Sequence, residues 1–220
     1  MIRTLVVGIL IWTGIFAPSA RADILKRRIS LETWGNEFVS LCVSLQAVCG
    51  IEIDHSLHKK NTRPLELHDV SGREALDAVL ARYPGHQWEL RDGVLIVHPK
   101  QRKEKSPLET HLTDVDFKEQ PLPLISKFFM QKMRVRGGSK SLGGSRDTTL
   151  EDTRPINLRA KNISVRDALT RVVKTHKSSM WIFTRYISSS GEAVYSLDLH
   201  SFTPTLDNSH KPDERHRQVE

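Results

Sequence analysis

Leu65-Glu66-Leu67-His68-Asp69-Val70-Ser71-Gly72-Arg73-Glu74-Ala75-Leu76-Asp77-Ala78-Val79-Leu80 changes its hydrophobic period halfway along. Leu65-Glu66-Leu67 alternates at two, as a half-buried strand does. Ala75, Leu76, Val79 and Leu80 recur at three and four, as one face of a helix does. Ser71 stands where a helix N-cap is wanted. Glu74 follows three residues later, the pattern of a capping box. Pro84-Gly85 ends the helix. Gln87 to Leu90 and Val94 to Val97 then flank Arg91-Asp92-Gly93, a hairpin signal. Upstream, Arg28-Ile29-Ser30-Leu31 reads as a short strand. From Leu31 to Cys49, the residues Trp34, Phe38, Leu41, Cys42, Leu45, Val48 and Cys49 recur at helical spacing. Gly50 suits the C-terminal cap of that helix, and Ile51-Glu52-Ile53 alternates as a strand.

The same order returns further along. Thr62-Arg63-Pro64-Leu65-Glu66-Leu67 is matched by Thr153-Arg154-Pro155-Ile156-Asn157-Leu158. Ala75-Leu76 and Trp88 recur 93 positions later as Ala168-Leu169 and Trp181. A repeat at that spacing means two units of one architecture. In the second unit Val115 and Phe117 mark a strand. Leu124, Ile125, Phe128, Phe129 and Met133 mark a helix opened by Pro121 and Pro123, and Arg134-Val135-Arg136 reads as a strand. Ile156 to Leu158 is a strand, Ser164 an N-cap, and Val165 to His176 the second helix. Trp181 to Tyr186 and Ala193 to Leu199 close a hairpin around Ser188-Ser189-Ser190-Gly191. The expected fold class is α+β: two tandem small modules, each with two helices packed against short mixed β-sheets. The modules span 23–99 and 113–202, joined by a charged linker over 100–112. A Gly/Ser-rich insertion occupies 137–152. Residues 203–220 are polar and expected to be disordered.

The run Leu65 to Leu80, closing with Trp88-Glu89-Leu90 and Asp92-Gly93-Val94-Leu95-Ile96-Val97, resembles the secretin and TonB short N-terminal domain. The first unit resembles it over Ile51 to Val97, the second over Arg154 to Phe183. The resemblance implies two helices packed between small sheets and a docking role in a bacterial envelope. It implies no catalytic residues. No pore or barrel sequence follows the second unit in this chain, so roles that need one in the same chain are not expected.

The N-terminus reads as a secretory signal. Arg3 supplies a positive start, and Leu5 to Phe16 is an apolar run too short for a comfortable membrane span. Ala20-Arg21-Ala22 supplies the cleavage pattern, with the cut between Ala22 and Asp23 and a signal peptide over 1–22. No Cys follows the run, which argues against a lipoprotein anchor. Removing Met1 to Ala22 removes Arg3 and Arg21 and no acid, so the formal charge falls from +7 to about +5. The bases are dispersed among acids and aromatics are few, without the dense basic stripe of a nucleic-acid binder. Cys42 and Cys49 would stand about 10.5 Å apart on a continuous helix, beyond bridging distance. They read as two small core residues on one helix face, with a bridge open only if the helix ends before Cys49. The compartment itself permits disulfides.

Candidate chemistry is sparse. Asp54, His55 and His58 lack a further ligand cluster and fit a metal poorly, so no metal or cofactor is expected. Gly137-Gly138-Ser139-Lys140 and Gly143-Gly144-Ser145 lack the phosphate-loop pattern. Ser188-Ser189-Ser190-Gly191 sits where a turn is needed and is no nucleophile elbow. Trp88 and Trp181 recur at equivalent positions, which favours core packing over binding anchors. Exposed sheet edges can accept a partner strand. The candidate edges are Ile51 and Ile53, and Val94, Leu95, Ile96 and Val97. The expected function is a non-catalytic docking or adaptor protein, periplasmic or secreted, whose partner is an envelope protein such as a secretion or TonB-linked component. The alternative is a binder of envelope polysaccharide such as peptidoglycan, which the mild basic charge would favour.

Overall fold

Ser71 accepts from the Glu74 backbone N–H, and the Glu74 carboxylate accepts from the Ser71 N–H in return. That closed capping box starts a ten-residue helix where the period changes from two to 3.6. The computed structural model describes residues 21–33, 37–57, 63–102, 104–135, 155–176 and 179–201. In chain order the elements of the first half are α1 (Arg21–Lys26), β1 (Arg28–Thr33), α2 (Glu37–Leu45), β2 (Cys49–Asp54), β3 (Leu65–Ser71), α3 (Gly72–Ala81), β4 (His86–Arg91) and β5 (Val94–Pro99). The second half supplies β6 (His111–Gln120), α4 (Leu122–Met133), β7 (Ile156–Ser164), α5 (Val165–His176), β8 (Ser179–Ile187) and β9 (Ala193–Ser201). The protein is α+β. Ser164 caps α5 as Ser71 caps α3: its Oγ accepts from the Asp167 N–H at 3.1 Å. Asp92 and Gly93 both take positive φ in the β4–β5 turn, the backbone twist a two-residue hairpin prefers.

The two halves do not each close a sheet of their own. One five-stranded sheet runs β4-β5-β2-β8-β9 across both. Strands β5, β2 and β8 are mutually parallel, and β4 and β9 flank them antiparallel. Two antiparallel ribbons complete the set, β1 with β3 and β6 with β7. Side chains leave a strand alternately to its two faces, and this separates two cores. On one face Cys49, Ile51, Leu95, Val97, Met180 and Ile182 pack with residues of β1, α2, β3 and α3. On the other Val94, Ile96, Trp181, Phe183 and Leu197 pack with residues of β6, α4, β7 and α5. Each half therefore caps one face of a shared sheet, in three layers. Gly50 of β2 lets Trp181 lie flat against the strand; a Cβ there would come within 2.3 Å of the indole.

Four expectations change. The helix over Leu31 to Cys49 is three elements, because Leu31 belongs to β1 and Cys49 to β2. Gln46 takes φ of 50° and stops α2. Cys49 then returns to 6.4 Å from Cys42 between Cα atoms, and the two form a disulfide. The bridge exists because the helix ends early, and both cysteines are buried as well. Arg134-Val135 forms no strand: Arg134 takes the left-handed conformation that ends α4. The sheet position beside β8 is filled by β2. Lastly, the 100–112 segment is no loose linker. Leu108 is fully buried, Ser106 is buried, and the Lys100 N–H donates to Gly85 O at 2.8 Å. The signal run, the 137–152 insertion and the 203–220 tail lie outside the described residues, while α1 spans the expected cleavage point. Among the described residues no helix is long and apolar enough to cross a membrane.

Candidate functional site: a cleft at the carboxyl ends of the parallel strands

β2 carries Glu52 and Asp54 on the sheet face opposite Ile51 and Ile53. Glu52 is buried, and a buried carboxylate needs partners. It has three. Its Oε2 accepts from Arg102 Nη2 and from Arg166 Nη2 at 2.6 Å, and its Oε1 accepts from Ser106 Oγ at 2.8 Å. Glu109 closes a ring of alternating charge: its Oε1 accepts from Arg166 Nε at 2.8 Å and lies 3.5 Å from Arg102 Nη1. The ring fastens β2, the 100–112 segment and the first turn of α5 together. For Arg166, burial opposes the charge, but Glu52 and Glu109 outweigh it and raise the guanidinium above its ordinary value. For Glu109, burial again opposes, and Arg166 and Arg102 pull the carboxyl below its ordinary value.

Two residues further along β2, Asp54 accepts from the Ser56 N–H at 2.9 Å, from Ser56 Oγ at 2.6 Å and from Arg185 Nη1 of β8 at 3.0 Å. Burial works against its charge, yet the Ser56 bonds and Arg185 prevail and hold it below the usual carboxylate range. The backbone N–H of Asp54 donates to His86 Nε2 at 3.2 Å. His55 stacks on Tyr186 with centroids 4.6 Å apart.

Glu52, Asp54, Ser56, Arg102, Ser106 and Arg185 line a cleft of about 560 Å³ where β5, β2 and β8 all end. Its floor includes Phe183 and Tyr195, stacked at 5.4 Å. Leu57 and Ile187 line it while remaining exposed, and exposed Tyr186 is the neighbour of Ile187. Arg102, Lys105 and Pro107 contribute from the 100–112 segment. Of the lining carboxylates Glu52 and Asp54 are tied into ion pairs and hydrogen bonds and Glu104 is exposed beside Lys105, so the open chemistry at the strand ends is the donor N–H groups of Arg102 and Arg185 beside apolar surface.

The predicted edge residues fall elsewhere. Ile51 and Ile53 lie on β2, the middle strand of five, and Val94, Leu95, Ile96 and Val97 lie on β5, the next one out. The two strands pair with each other, Gly50 against Ile96 and Ile51 against Val97. Neither is an edge; the edges of this sheet are β4 and β9. The reason was readable: Val94-Leu95-Ile96-Val97 is apolar on both faces, the composition of a strand covered on both sides. At β9, α4 leans over the strand, with Ser126 Oγ donating to Leu197 O at 2.6 Å. Trp181 is fully buried as expected, whereas Trp88 is only half-buried and lies under Arg73 at 5.5 Å. Asp54 and His55 take part in the contacts given above, and His58 lies outside the described residues. Among those residues no group of three or more His, Cys, Asp or Glu is placed to hold a metal. Sequence reasoning missed Glu52, Arg102, Arg166 and Arg185. Acids at alternate positions of an apolar strand, Glu52 and Asp54, were the one available signal; their partners come from segments up to 131 residues away.

No family model, curated protein or solved structure matches the chain.

Proposed function

We propose that this chain is an exported, non-catalytic docking protein of the bacterial cell envelope, built from two related α/β halves of the short secretin and TonB N-terminal type. The observation that carries the reading is the cleft: an apolar floor and an exposed rim of Leu57 and Ile187, with Glu52 and Asp54 pinned by cations. General acid–base work wants a group titrating near the operating pH. Asp54 and Glu109 are instead held down and ionised, which suits recognition better than proton transfer. The Cys42–Cys49 bridge fits an oxidising compartment and so supports export. The partner is then an envelope protein, such as a secretion or TonB-linked component.

Photo-crosslinking in intact cells tests this. A crosslinker at Leu57 or Ile187 is expected to give a discrete adduct with an envelope protein. The same probe at Lys161, on the exposed side of the β6–β7 ribbon, is expected to give none. Equal labelling at all three sites, or none at the rim, would sink the docking reading. Retention of the chain in the cytoplasm with Cys42 and Cys49 reduced would sink the export half of it.

A further inference from the structure

We infer that the cleft takes an extended acidic peptide segment of the partner, its carboxylates on Arg102 and Arg185 and its apolar side chains against Leu57, Ile187 and the Phe183–Tyr195 floor. This rests on the docking reading above and adds the chemistry of the occupant. The cleft is close to neutral by count, but its charges are not equally available. Glu52 and Asp54 have side chains 8% and 19% exposed, against 29% for Arg102 and 28% for Arg185. The acids lie beneath and the cations above them. The hydrogen-bonding capacity is similarly uneven. Glu52 and Asp54 each accept three bonds. A guanidinium carries five donors. Arg185 directs one to Asp54 and also meets the Tyr195 phenol; Arg102 directs one to Glu52 and lies near Glu109 with a second. The remaining donors belong to guanidiniums held in place by buried Glu52 and half-buried Asp54, which pre-orients them for a planar, bidentate acceptor such as a carboxylate. Glu104 and Lys105, both exposed in the lining, oppose each other, so the bias rests on the two arginines. The apolar surface between and beside them suits the alternate side chains of an extended chain rather than a free anion.

The test uses the full mature chain and a fluorescent, end-blocked eight-residue peptide alternating Asp or Glu with Leu or Phe. A control peptide replaces each acid by its amide. The acidic peptide is expected to bind and the amide peptide to bind about tenfold more weakly, since charge-assisted hydrogen bonds are lost. Ile187→Asp changes an exposed side chain and should leave the fold intact while weakening the acidic peptide by a similar factor. Arg185→Gln should do the same, with circular dichroism confirming its fold. Backbone amide shifts on binding should cluster at Asp54, Leu57, Arg102 and Arg185. Equal binding of both peptides, full affinity in Ile187→Asp, shifts clustered on β4 instead, or no binding would each overturn the inference. So would complete displacement by equimolar inorganic phosphate, which would mean an anion site only. Rim crosslinking that persists when the acidic peptide fails would leave the docking reading standing and remove this one.

Discussion

β4 and β8 begin 93 residues apart; each opens the hairpin that follows a serine-capped helix, and each carries a tryptophan, Trp88 and Trp181. β4 is the rim of the five-stranded sheet, with Trp88 half-buried beneath Arg73. β8 lies against β2, with Trp181 sealed between Gly50 and the core of the second half. The difference arises from how each hairpin meets β2. The first docks through its second strand, β5, and the second through its first strand, β8. The same local structure, a capped helix followed by a hairpin, thus stands in two unequal environments. The second half has no strand equivalent to β2 among the described residues, and the first half's β2 serves both.

The largest expected break in that comparison is at the tryptophans. Trp181→Ala should cost about 3–5 kcal/mol as a core truncation, and Trp88→Ala about 1–2 kcal/mol, in keeping with its partial burial. Guanidinium unfolding of both variants checks this; equal losses would mean the sheet order is wrong. Next comes the charge ring that joins the halves. Glu52→Gln leaves Arg166 buried without its main counter-charge and should cost about 3 kcal/mol. Asp69→Asn removes a fully exposed partner of Arg28 and should not move the unfolding midpoint measurably. The disulfide belongs to the first half alone. Replacing Cys42 and Cys49 by Ser should cost about 2–3 kcal/mol for so short a loop, and hydrogen exchange should quicken in α2 and β2 before it does in α4.

The smallest effects are in pH dependence, and there two aspartates on opposite sides of the sheet differ in sign. Asp198 of β9 is buried, and burial pushes its carboxyl up to about 6. The folded state holds that proton more tightly than the unfolded chain does. Its contribution is therefore most favourable below the ordinary value of 3.8 and is lost as pH rises towards about 6. Asp198→Asn should be more stable than the parent at pH 7 and should lose that advantage by pH 3.5. Asp54 is held low, so its contribution is present above 3.8 and fades as pH falls through its lowered value. Asp54→Asn should be less stable than the parent at pH 7, with the gap closing in acid. Chemical unfolding at several pH values separates the two; parallel curves for both variants would overturn the assignment.

Much of the local structure was legible because it depends on neighbours in sequence. The capping box at Ser71 and Glu74, the α5 span from Val165 to His176, the Asp92-Gly93 turn and the order of elements follow from propensity and period. Where reading failed, a short interruption or a distant partner decided. Periodicity at three and four ran on from Leu31 to Cys49 because buried strand residues on either side of α2 happened to keep the spacing. The positive φ at Gln46 that ends the helix has no strong residue signal. The edge assignment of β2 failed because an edge is defined by what fails to pair beside it; for β5 the apolar run on both faces was the local sign of a covered strand.

The sequence alone determined that this is an α+β chain in which a capped helix leads into a hairpin twice. Those features are set by interactions within a few residues. Only the tertiary structure decided that the halves share one sheet, that Cys42 meets Cys49, and that Glu52, Arg102, Glu109 and Arg166 form a ring beside an open cleft. Strand order and the pairing of buried charges are settled by contacts between segments fifty to over a hundred residues apart. Burial makes those contacts strong, and no local pattern encodes them.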